Sequence, residues 1–105
     1  SEAELPGDYD PPYRLAMAAR EAGRLDEALA AVDRALALGY GARKLRMYAL
    51  KASVQERQGD RAGQRATLEA GVAYARGLPP GQLRRGERAT LEKLQKALDG
   101  LDGAG

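Results

Sequence analysis

The side chains that do most enzyme chemistry are missing from this 105-residue chain. It has no His, Cys or Asn, and its only serines are Ser1 and Ser53. That removes the usual zinc donors, the common acid–base residue and every cysteine nucleophile. Ser53 falls inside a helical pattern with no histidine to activate it, so it reads as a small helix-packing residue. The Asp8-Tyr9-Asp10 cluster offers two carboxylates, too few for a calcium loop that needs about six to eight oxygens. The glycines form no phosphate-cradling loop with a following Lys-Ser or Lys-Thr. No catalysis, cofactor or metal site is expected.

Charge offers more. The net charge is only +2, but residues 1–10 hold four acids and no base. Between Arg43 and Arg88 eleven bases oppose four acids. A positive surface attracts acidic peptide, nucleic acid or anionic lipid, whereas arginines spread around helices are by default a solvated face. Nucleic acid is disfavoured because no aromatic residues alternate with the bases as stacking platforms.

The elements that carry these residues are helical. Hydrophobic residues make up 44% of the chain, chiefly Ala and Leu with no Phe or Trp, which suits a small core built by close helix approach. No apolar run reaches the length of a membrane span, so no membrane partner is expected. The start at Ser1 rather than Met reads as a piece of a longer protein, and without cysteine the redox compartment stays open. Residues 1–10, broken by Pro6 and Gly7, read as an acidic linker. Helices are expected at about residues 12–22, 25–38, 42–58, 60–76 and 83–98, with a flexible tail over 100–105.

Gly23 to Leu29, Gly-Arg-Leu-Asp-Glu-Ala-Leu, writes a turn between two helices. The glycine ends one helix, and Asp26 and Glu27 suit the first turn of the next. Ala28 and Ala35 share one face, with Leu29, Val32 and Leu36 beside them. Gly59-Asp60 repeats this break 36 residues later. Ala16 and Ala52 each precede a glycine by seven residues, and Leu68, Gly71 and Val72 match Val32, Ala35 and Leu36. These residues resemble a tetratricopeptide repeat, whose period is about 34. Tyr48 stands at that repeat's usual first-helix aromatic position, where the first copy has Pro12. The second copy also departs with Gln64 for Ala28 and Lys51 for Leu15.

The resemblance implies an all-α antiparallel helix–turn–helix array: repeats over about residues 11–40 and 42–77, with a capping helix over about 82–99. A repeat hides its apolar face only against a neighbour, and the Leu91, Leu94, Leu98 stripe would cover the last one. A helix kept free for docking would instead leave that stripe exposed. The resemblance also implies a module that binds a protein or peptide on a concave face lined by the first helix of each repeat. That assigns Tyr13, Met17, Arg20 and Glu21, then Arg46, Leu50, Ser53 and Arg57, with Ala49 and Glu56 among them. Tyr13, Met17 and Leu50 would be the apolar contacts, although Met17 and Leu50 read equally well as core. The Lys-and-Asn arrangement that clamps a peptide's terminal carboxylate is missing. Self-association into a homo-oligomer, or service as a substrate-positioning arm of a linked enzyme, are the alternatives. Residues 5–15 and the Tyr40 to Arg46 stretch further resemble the helical-repeat extension of bacterial thioredoxin-fold proteins, although no Cys-x-x-Cys is present.

Overall fold

The chain reverses direction twice by one device. Gly23 and Gly59 adopt φ of 80° and 77°, a left-handed conformation that costs a glycine nothing because it lacks a Cβ. The Gly23 N–H donates to the Arg20 carbonyl at 3.0 Å and the Arg24 N–H to the Ala19 carbonyl at 2.8 Å. The Gly59 N–H to Glu56 and the Asp60 N–H to Gln55 repeat this at 3.1 and 2.9 Å. Each set satisfies the last carbonyls of the helix that is ending.

In this computed structural model, which describes residues 10–104, those turns link five helices: Asp10–Glu21 (α1), Leu25–Leu38 (α2), Lys44–Gln58 (α3), Arg61–Arg76 (α4) and Arg85–Ala104 (α5). Single turns of 3-10 helix at Gly41–Arg43 and Pro80–Gln82 precede α3 and α5. The protein is an all-α array. α1 packs along α2 and α3 along α4, α2 joins α3 and α4 joins α5, and α3 also touches α1 and α5. α1, α3 and α5 therefore form one layer behind which α2 and α4 form the other. The slab measures 42 × 35 × 18 Å, its thin dimension that of two helices about 8–10 Å apart.

Small residues set that spacing. Ala16, Ala31, Val32, Ala35, Met47 and Leu50 form the core of the first three helices, and Ala19, Ala28 and Val54 a second knot beside it. Ala28 is thus buried against α3 as well as α1. Leu45, Ala52, Leu68, Val72, Ala75 and Leu94 form the core of α3, α4 and α5. Gly71 marks their crossing, since a Cβ there would lie 3.0 Å from both Leu94 Cδ1 and Tyr48 Cβ. The Tyr74 hydroxyl on α4 donates to the Gly41 carbonyl, in the turn before α3, at 3.0 Å, and the Lys44 ammonium at the start of α3 lies 5.1 Å from the Tyr74 ring centre. Tyr48 leans on the same ring at 5.8 Å; burial, then the neighbouring Tyr74 phenol, raises its hydroxyl above the ordinary pKa.

Two sequence expectations need correcting at the fifth helix. Leu83 is not helical, with φ −89° and ψ 87°, and α5 starts at Arg85. The helix then passes through Gly100 and Gly103 to Ala104, where a flexible tail was expected. Tertiary contacts outweigh the poor helix propensity of glycine. Leu101 extends the leucine stripe onto the core of α3 and α4, Arg61 donates to the Leu101 carbonyl at 3.4 Å, and Arg65 pairs with Asp102. That pair raises the Arg65 pKa further, mainly through the hydrogen bond. The expected linker lies outside the described residues except for Asp10, which opens α1 and pairs with Arg14 at 2.8 Å.

Candidate functional site

Because α3 touches both α1 and α5, it forms the floor of a cleft between them, about 220 Å³ in volume. α3 supplies Arg46, Ala49 and Leu50; α1 supplies Tyr13, Met17 and Arg20; α5 supplies Thr90 and Lys93. Leu50 is buried in the core, and Tyr13 and Met17 are half-buried against the same cluster. Met17 and Leu50 therefore serve as core and cleft lining at once. The apolar floor is fixed before any ligand arrives.

Of the eight residues assigned from sequence, Tyr13, Met17, Arg20, Arg46 and Leu50 line this cleft. Glu21, Ser53 and Arg57 do not line it; they brace one of its walls. Arg20 Nη1 donates to Ser53 Oγ at 2.7 Å and its Nε to Glu21 Oε1 at 3.2 Å. Ser53 Oγ in turn donates to the Leu50 carbonyl at 3.1 Å. Arg57 Nη1 donates to the Arg20 carbonyl at 3.1 Å, and its other nitrogen lies 3.7 Å from Glu21. This network locks the Arg20 guanidinium between α1 and α3. Ser53 is a hydrogen-bond relay between two helices.

Sequence reasoning missed the wall from α5. Thr90 and Lys93 each precede a leucine of the buried stripe, Leu91 and Leu94, so the stripe that seats the helix also carries them to the rim of the cleft. Leu94 is buried, and Leu91, Leu98 and Leu101 pack half-buried on the α3–α4 core, as a covering helix requires. A smaller hollow of about 90 Å³ continues along the α3–α5 seam, sharing Arg46 and Thr90 and adding Glu87.

The basic stretch is partly consumed within the fold. Lys51 pairs with Asp33 at 2.8 Å, Arg57 with Glu21, and Arg65 with Asp102, each fastening one helix to another. Arg84, Arg85 and Arg88 remain exposed around the start of α5. Among the described residues, Arg46 and Lys93 make no hydrogen bond or ion pair, and no described carboxylate lines the cleft they face.

No three His, Cys, Asp or Glu side chains among the described residues gather as a metal site would need; Asp8 and Tyr9 lie outside them. No described helix is long and apolar enough to cross a membrane. No family model, curated protein or solved structure matches this chain, so its function rests on the geometry of the cleft.

Proposed function

We propose that this chain is a protein-interaction module of tetratricopeptide type that holds a segment of a partner protein in the cleft between α1, α3 and α5. The observation that carries this reading is the makeup of the cleft: Tyr13, Met17 and Leu50 present an apolar surface inside a rim of Arg20, Arg46 and Lys93. Interfaces concentrate their energy in such partly buried aromatic and apolar contacts, while rim charges set encounter rate and salt dependence. The repeat reading is supported by the two turns, where three backbone hydrogen bonds recur at an interval of 36 residues. We read the role as binding without catalysis: the Thr90 hydroxyl is engaged with the Gly86 carbonyl, and no described hydroxyl of the lining is hydrogen-bonded to a base that could activate it.

A photo-crosslinking amino acid tests the placement. At Met17 it should capture a defined protein from the source lysate, and at Ala30, exposed on α2 in the other layer, it should not. With the captured partner purified, Tyr13→Ala should weaken binding by about 1–2 kcal/mol or more at any salt concentration. Equal capture at both positions, or full affinity for Tyr13→Ala, would reject the cleft.

A further inference from the structure

The cations of the cleft differ in how they are held. Arg20 is already engaged by Ser53 and Glu21, whereas Arg46, exposed at the rim on α3, and Lys93 on the α5 wall have no side-chain partner among the described residues. The neighbouring carboxylates leave them unmatched. Glu21 is committed to Arg20 and Arg57, Glu87 faces the smaller hollow without an ion pair to Arg46, and Glu92 and Asp99, which share a separate hollow along α5 with Lys93, form no ion pair with it. The cleft is therefore positive around an apolar floor. Its volume of about 220 Å³ is below the roughly 300–1,000 Å³ of a small-molecule pocket and suits one anchoring side chain of a longer chain. A bare polyanion would leave the half-buried Tyr13 and Met17 uncovered. Among the described lining residues only Tyr13 is aromatic, which gives nucleobases no series of stacking platforms.

We propose that the partner segment is acidic: one apolar side chain seats on Tyr13, Met17 and Leu50, and flanking Asp or Glu side chains pair with Arg46 and Lys93. This rests on the cleft being the binding site, and the test separates the two claims. The probe is a short fluorescein-labelled peptide, blocked at both termini, with one leucine between glutamates; a second version carries glutamines in their place. Fluorescence anisotropy with the full chain should show the glutamate probe binding more tightly than the glutamine one. Arg46→Glu and Lys93→Glu should each weaken the glutamate probe about threefold to tenfold and leave the glutamine probe unchanged, with the difference shrinking as salt is raised. Lys96→Glu, exposed away from the cleft, should change neither. Since Arg46 and Lys93 hold nothing in the fold, both variants should melt like the parent protein, so lost binding is not lost folding.

Equal affinity for the two probes, or indifference to Arg46→Glu and Lys93→Glu, overturns the acidic partner. The cleft itself survives that outcome where Tyr13→Ala still weakens binding and falls with it where Tyr13→Ala does not. Failure of the glutamate probe to bind overturns the proposal outright. A gain in affinity on removing residues 1–9, which are acidic in sequence, would name the chain's own leader as occupant and overturn a separate partner.

Discussion

Where α1 packs on α2, the buried residues include Ala19, Ala28 and Ala31; 36 positions on, among the buried residues of α3 and α4, stand Gln55, Gln64 and Thr67. The second set is 7%, 8% and 6% exposed, nearly as deep as the alanines, but it is polar. Thr67 donates to the Gln55 side-chain oxygen at 2.6 Å, and no buried side-chain nitrogen or oxygen among the described residues lacks a partner. The two crossings show that backbone geometry sets the depth, while the chemistry inside can be apolar or polar provided every polar atom is satisfied. The helix starts differ in the same way. Asp60 accepts from the Gly63 N–H at 2.9 Å, whereas Arg24 has almost the same backbone, φ −87° and ψ 73° against −91° and 82°, and no side-chain cap.

The largest expected effect follows from this asymmetry. Ala28→Leu must force extra volume into a knot of Ala19 and Val54 and should cost about 1–3 kcal/mol. Gln64→Leu at the matching position exchanges side chains of similar size and should cost less than about 1.5 kcal/mol. Urea midpoints report both, and equal losses would break the comparison. Thr67→Val should come next: it strands a buried Gln55 oxygen, at about 1–2 kcal/mol, yet Thr67→Val combined with Gln55→Leu should recover most of that loss. A double variant as unstable as the single one would show that the polar crossing does more than satisfy itself. The smallest effect is a gain. Arg24→Ser should supply the missing cap and raise stability by about 0.5 kcal/mol, while Asp60→Ala should lose about 1 kcal/mol. Thermal melts that put both changes on the same side of the parent would remove the equivalence of the two turns.

What the residues disclose by themselves is local. Gly23 and Gly59 end helices because only glycine enters that backbone region freely, and Ala16, Val32 and Leu68 mark buried faces through a 3.6-residue period. Both signals are readable without knowing where any other helix lies; the assignment of Tyr13, Met17 and Leu50 to one face comes instead from the resemblance to a tetratricopeptide repeat. The tertiary structure alone decided the rest. It carried α5 through Gly100 by contacts with Arg61 and Arg65, turned Ser53 into a brace for Arg20, and brought Lys93 to the cleft that Arg46 lines. Each of these joins residues more than 30 positions apart on separate helices. Their meeting depends on the angles at which rigid helices pack, and small residues such as Ala28 and Gly71 set those angles through the shape of the whole array. No periodicity within a single helix encodes them.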